Sequence, residues 1–140
     1  MAKILILGGG FAGLIAAKRL ALSLDPSHEV TLVSPGRNFT FYPALVHLAF
    51  GECTVEDISF DLANSLKELG VRFVRGEVIR INPERQKAEI VGDDFDGELG
   101  YDYLIFAMGR RLATEKVPGF FEHAQHLLGV NAALKFGELV

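Results

Sequence analysis

Ile4-Leu5-Ile6-Leu7-Gly8-Gly9-Gly10-Phe11-Ala12-Gly13-Leu14-Ile15-Ala16-Ala17 is the stretch whose pattern decides the fold. Four consecutive branched or long apolar residues form a buried strand. The strand runs into a glycine turn, and small and large apolar residues then carry a helix. Gly8, Gly10 and Gly13 fit G-x-G-x-x-G, the dinucleotide-binding fingerprint. In that motif the first glycine allows the tight turn. The second lets the main chain approach a pyrophosphate, and the third lets helix and strand pack closely. The helix start then offers N–H groups and a partial positive charge to a diphosphate.

The context supports the motif. The helix runs on through Leu20–Leu24 and ends at Asp25-Pro26-Ser27. His28-Glu29-Val30-Thr31-Leu32-Val33 is a second strand. Together they make a β-α-β unit of roughly 30 residues, the size such a unit needs. A structural glycine turn in some other α/β protein is the alternative. Where an acid commonly meets the ribose hydroxyls at the end of the second strand, this chain has Ser34, then Pro35-Gly36-Arg37. Arg37 could pair with a phosphate or stack on adenine. It could also receive the 2′-phosphate of NADP.

Bulk properties narrow the function classes. The chain has 140 residues, one domain's worth, and 49% of them are hydrophobic, enough for a real core. A net charge of −4 gives no electrostatic footprint for nucleic acid. No apolar run approaches membrane-spanning length, and the N-terminal one is too short and too glycine-broken for a signal peptide. With Cys53 as the one cysteine, the chain can form no internal disulfide. These features point to a cytoplasmic protein. His123 and His126 could share a helical face but have no third ligand in view, so no metal site is expected.

The rest of the sequence gives the order of elements. In Phe39–Gly51, Pro43 suits the first turn of a short helix and Gly51 its end, and the segment is either a ligand wall or a core plug. Thr54–Leu69 is predicted as one helix, with apolar residues at 58, 62, 66 and 69, a cap at Thr54 or Asp57, and Gly70 at its end. Val71–Val74 is a third strand. Glu77–Ile81, Lys87–Val91 and Gly97-Glu98-Leu99 alternate between turn residues as an antiparallel meander. Tyr103-Leu104-Ile105-Phe106-Ala107 closes as a buried strand, and Gly129–Phe136 starts a helix that stops, without a cap, at Leu139-Val140. The fold class is therefore α/β: a Rossmann-like parallel sheet with a three-stranded antiparallel β-meander layer.

The chain resembles the N-terminal part of the sulfide:quinone oxidoreductases and type II NADH dehydrogenases, within the FAD-dependent pyridine nucleotide-disulfide oxidoreductase superfamily. The likeness rests on Gly8-x-Gly10-x-x-Gly13, Val30-Thr31-Leu32-Val33-Ser34, Phe39-x-Phe41-x-Pro43, Tyr101–Ile105 before Ala107-x-Gly109, and Leu112-Ala113-Thr114-Glu115. The superfamily's Ala-Thr-Gly is here Ala107-Met108-Gly109. Ser34 and Leu112–Glu115 tilt the match toward the sulfide enzymes.

The resemblance implies FAD. Gly8, Gly10, Phe11, Ala12 and Gly13 would hold its pyrophosphate. Ser34 and Pro35 would meet the adenosine ribose, and Arg37 would fix the AMP half. Tyr42 and Pro43 would lie along the ribityl and isoalloxazine side. Val78 would contact adenine through its backbone, or simply pack in its sheet. Ala107 and Gly109 would let the main chain pass close to the cofactor, with sheet packing again the alternative for Ala107. It further implies a partial FAD-binding domain over 1–140: a β-α-β unit at 3–34, a helical segment at 39–69, strand and meander at 71–99, and a closing strand at 101–109. The second nucleotide fold and C-terminal region would be absent. No catalytic residue is assigned, because Cys53 matches no redox position of the family and Gly129 stands where its early cysteine would be. Quinone and an electron donor, sulfide or NADH, would be partners of the full-length enzyme. That enzyme would be cytoplasmic, or peripheral to the inner face of the membrane through its absent C-terminal part. A truncated, catalytically silent nucleotide-binding or interaction module that self-associates through exposed sheet edges is the competing expectation.

Overall fold

The structure, a computed structural model, describes residues 1–139. Val140, with which the uncapped stop of the last helix was expected, lies outside the described residues. The elements run β1 (Lys3–Leu7), α1 (Phe11–Ser23), β2 (Glu29–Ser34), β3 (Asn38–Thr40), α2 (Leu45–Ala49), β4 (Ser59–Asp61), α3 (Leu62–Glu68), β5 (Arg72–Arg75), β6 (Glu77–Asn82), β7 (Lys87–Val91), β8 (Gly97–Gly100), β9 (Tyr103–Phe106), α4 (Phe120–His123) and α5 (Val130–Gly137). They form two compact units. The first holds residues 1–39 and 61–109, and the second holds 40–60 and 110–140.

The first unit is built on a four-stranded sheet in the order β5-β2-β1-β9. All three pairings are parallel. Side chains of β1 alternate between two cores, as strand geometry requires. Ile4 and Ile6 join Val30, Leu32, Phe39, Leu62, Leu66 and Val71 on one face, where α1 contributes Ala17. Leu5 and Leu7 join Val33, Val74, Ala88, Ile90 and Tyr101 on the other. Burial on both faces is why β1 and β2 are near-continuous apolar runs rather than alternating ones.

The second face is covered by the antiparallel meander β6-β7-β8. The turn from β5 into β6 is held where the Gly76 amide donates to the Ser34 carbonyl at 3.1 Å. There two glycines meet back to back. A Cβ on Gly92 would fall 2.5 Å from both the Arg75 carbonyl oxygen and the Gly76 Cα, and one on Gly76 would fall 2.5 Å from Ile90 Cγ2.

The second unit has its own small core of Leu45, Leu48, Ala49, Ile58 and Ala133, with Cys53, Val55, Leu127, Val130 and Phe136 packed against it. Pro43 lies in the 3-10 turn Tyr42–Ala44 leading into α2, as the sequence predicts. His126 stacks on Phe120 and accepts a hydrogen bond from the Leu128 amide.

The single helix expected over Thr54–Leu69 does not form. Glu56–Ile58 is one 3-10 turn, Ser59–Asp61 is extended, and a helix begins only at Leu62. Local hydrogen bonds outcompete the helical ladder. The Thr54 amide and hydroxyl both donate to the Asp57 carboxylate, closing the turn on itself. The Phe41 amide then donates to the Ile58 carbonyl at 2.7 Å, and β4 pairs with β3. The cap is Asp61, whose carboxylate accepts from the Asn64 amide at 2.8 Å. Leu62 and Leu66 still face a core, so the periodicity was right for the second half of the segment alone.

Leu66 is fully enclosed in the first core. Leu66→Ala is expected to cost about 2–5 kcal/mol in chemical denaturation.

Candidate functional site

The first unit gathers its motif residues at the C-terminal ends of β1 and β2. The glycine turn is closed by main-chain contacts. The Gly8 amide donates to the Val33 carbonyl at 2.8 Å, tying the end of β1 to β2. Gly8 takes φ +113°, where a side chain would be strained, and a Cβ there would sit 2.1 Å from the Ala107 carbonyl oxygen. A Cβ on Gly13 would sit 1.8 Å from the Gly8 carbonyl oxygen. The first turn of α1 thus lies directly on the end of β1.

Gly10 is different. A Cβ there would meet nothing within 4 Å. The protein's own packing does not demand glycine at this position, and the space beside it is open. Gly10 is also the N-cap of α1, with no side-chain cap and no acid in the first turn. The first turn therefore brings no carboxylate of its own to the positive end of the helix, and helix starts of this kind favour an anion. Phe11 and Ala12 are exposed at this end, and the Phe11 ring rests edge-on against Phe39 with centroids 5.0 Å apart.

Of the residues expected on the adenosine side, Ser34 lies next to the turn. Ser34 is buried, and its Oγ lies 2.8 Å from where a Gly9 Cβ would be, beside Leu62 Cδ1 at 2.7 Å. Pro35 lines a cavity of about 160 Å³ with Arg75, Gly76, Glu77, Val91, Gly92 and Asp93. Val78 follows Glu77 in β6, pairs with Ile90, and precedes a register shift at Arg80. Ala107 continues from β9 with its amide on the Leu7 carbonyl at 2.8 Å, and Gly109 follows at φ +72°. Tyr42 and Pro43 belong to the second unit, where both are exposed.

Arg37 is more committed than its sequence position suggests. Its Nε donates to the Asp61 carboxylate, the same group that caps α3. That bond, then the Asn64 amide, holds the Asp61 carboxyl below the usual carboxylate range, and it raises Arg37 in turn. Asp61 was missed in the sequence because the leucine spacing placed it inside a helix. An Asp directly before Leu62, four residues ahead of Leu66, was the available capping signal. Arg75 is likewise paired, to Asp93 at 3.4 Å. Among the described residues, no group of three or more His, Cys, Asp or Glu lies together as a metal site, and no helix is long and apolar enough to cross a membrane.

A parallel sheet, a glycine turn against a bare helix start and a meander on the opposite face define a Rossmann-like dinucleotide-binding fold of the oxidoreductase class. The chain belongs to the pyridine nucleotide-disulphide oxidoreductase family, which it matches over residues 2–137. It is 36% identical over 113 residues to the sulfide-quinone reductase of Aquifex aeolicus, covering 80% of this chain and 25% of that protein. It is 29% identical over 147 residues to the mitochondrial external alternative NAD(P)H-ubiquinone oxidoreductase B1 of Solanum tuberosum, covering 99% of this chain and 25% of that one. The solved sulfide:quinone oxidoreductase of Aquifex aeolicus superposes with a TM-score of 0.88 at 28% identity, over 99% of this chain and 31% of that structure. The chain therefore spans 25% of the length of these curated relatives.

Two outcomes are expected here. Gly13→Ala drives a methyl into the Gly8 carbonyl and lowers stability by about 2–3 kcal/mol in urea titration. Because Asp61 ionises more easily folded than unfolded, its contribution is present above the unfolded carboxylate value of about 4 and lost as pH falls through the lower folded one. The stability gap between wild type and Asp61→Asn accordingly narrows on acidification, measured by thermal melts between neutral and strongly acidic pH.

Proposed function

We propose that this chain binds FAD through the turn Gly8–Gly13 and serves as the FAD-binding part of a flavin-dependent oxidoreductase. The observation that carries this is the open space at Gly10 against the uncapped start of α1, while Gly8 and Gly13 are consumed by packing. A glycine that no packing contact requires, placed at the start of a helix, fits a ligand that must approach the main chain. Phe11, Ala12 and the first helical turn would receive the diphosphate. Ser34 and Pro35 would meet the ribose, and Arg37 would flank the AMP half. The adenine would lie toward the cavity lined by Pro35 and Glu77, with Val78 following in β6. Ala107 and Gly109 would bring a second strand end close to the cofactor.

When bound, FAD supplies two-electron transfer between a donor and an acceptor. The proposed reaction of the full-length protein passes electrons from sulfide to quinone. The 36% identity to a sulfide-quinone reductase and the TM-score of 0.88 support that donor. NADH is the rival donor, supported by the NAD(P)H-ubiquinone oxidoreductase that matches 99% of the chain. These residues would constitute a partial domain, with the donor and quinone sites supplied by the remainder of a longer protein. Peripheral contact with the inner face of a membrane would likewise rest there.

Gly10→Leu tests the assignment. Its side chain enters open space, so stability should change by about 1 kcal/mol or less. FAD affinity, followed by calorimetry and by the flavin absorption retained after desalting, should fall by roughly a hundredfold or more. Unchanged FAD affinity removes the diphosphate from this turn.

A further inference from the structure

We propose that Asp61 sets the choice of adenine nucleotide: by occupying Arg37 it denies a 2′-phosphate its cation, so a nucleotide with an unmodified adenosine ribose is preferred. This rests on the nucleotide-binding reading above and adds to it a residue that selects among nucleotides.

The end of β2 alone does not discriminate. Ser34 offers a hydroxyl where a carboxylate would repel a 2′-phosphate. Arg37, three residues on, has the fork geometry that grips phosphate. From sequence, this pair leaves a 2′-phosphate, and so NADP, open as the lesser alternative to FAD. The fold resolves the ambiguity by bringing in Asp61 from the start of α3. One oxygen of its carboxylate accepts from Arg37 Nε and the other from the Asn64 amide, so the group is fixed rather than swinging free. The Leu62 amide donates to the Arg37 carbonyl at 2.9 Å, locking the two segments together. Leu62 and Ser34 both lie against Gly9, which puts the Arg37–Asp61 pair beside the turn and at the ribose end of β2.

The surrounding charge acts in the same direction. Asp94 adds a second negative influence on Arg37. Arg75, the cation of the neighbouring cavity, is paired with Asp93, and Glu77 shares that cavity's wall. Four carboxylates (Asp61, Glu77, Asp93 and Asp94) thus accompany the cations Arg37 and Arg75. A doubly charged 2′-phosphate arriving here would find neutralised guanidinium groups and an excess of negative charge. A neutral ribose hydroxyl meets no such opposition.

Titration calorimetry with 5′-ADP and adenosine 2′,5′-bisphosphate at constant salt reads the selection as the change in their affinity ratio between variants, since the ligands also differ in the 5′ β-phosphate. Wild type is expected to favour 5′-ADP. Asp61→Asn retains a capping side chain and removes only the charge, which releases Arg37. It should shift the affinity ratio toward the bisphosphate by roughly tenfold, the value of one charge-assisted hydrogen bond. Arg37→Gln in the Asp61→Asn background should cancel that shift. Arg37→Gln alone leaves the Asp61 carboxylate unpaired and should move the ratio the other way, so the proposal is read even from a chain that does not tolerate Asp61→Asn. An unchanged ratio in variants that still bind 5′-ADP overturns the role of Asp61 and leaves the nucleotide site standing. A wild-type chain that binds neither ligand overturns both.

Discussion

The contact on which the structure depends is the meeting of two stretches of bare main chain, the Gly8 carbonyl and the Cα of Gly13. At this distance no side chain fits, so α1 can rest on the end of β1 only because Gly13 lacks one. Three other features follow. The Gly8 amide reaches Val33, which fixes where β2 ends. The Ala107 carbonyl closes over Gly8, which fixes where β9 ends. The start of α1 falls at Gly10, which offers no side-chain cap. Concave sites at the carboxyl ends of parallel strands arise from this arrangement, because the helix start supplies positive potential where the strands stop.

The electrostatics of the rim are arranged differently from those of the turn. At the glycine turn the first turn of α1 carries no acidic residue. At the rim each guanidinium has a carboxylate partner: Arg37 with Asp61 and Arg75 with Asp93. The arrangement leaves the main-chain amides of the turn, rather than the side-chain cations of the rim, as the feature on which the proposed diphosphate site rests. The exposed pairs add little to stability by themselves. Both pairs offset charge, and the Arg37–Asp61 pair also ties the β2–β3 loop to the start of α3.

Most of the fold was legible because its strongest constraints are local. The β-α-β unit announces itself through a double-faced strand, spaced glycines and a second apolar run. The meander is equally plain, since Lys87–Val91 alternates between turn residues. Thr54–Leu69 misled because four apolar residues at helical spacing fit a helix whether or not the intervening backbone does. Ile58 is buried in the core of the second unit while Leu62 and Leu66 serve the first, so one apparent stripe divides between two cores. The glycine motif likewise announced the candidate site. Its charge pattern was hidden, since Asp61 meets Arg37 across 24 residues of chain. No local pattern records such a pairing. Gly9, Gly76 and Gly92 were similarly silent, because close approach between backbones leaves no periodicity to find.

The glycine pair at the corner between β5 and β6 has a consequence for how the meander finds its place. Strand pairing tolerates slippage where neighbouring residues resemble one another, and a shift by one would turn every side chain over. Here a slipped β7 would carry Val91 or Asp93 to the position of Gly92, against the Arg75 carbonyl and the Gly76 Cα. Neither fits. The corner therefore works as a gauge: the hairpin can dock on the parallel sheet in one alignment and is refused in its nearest neighbours, before the rest of the layer has closed.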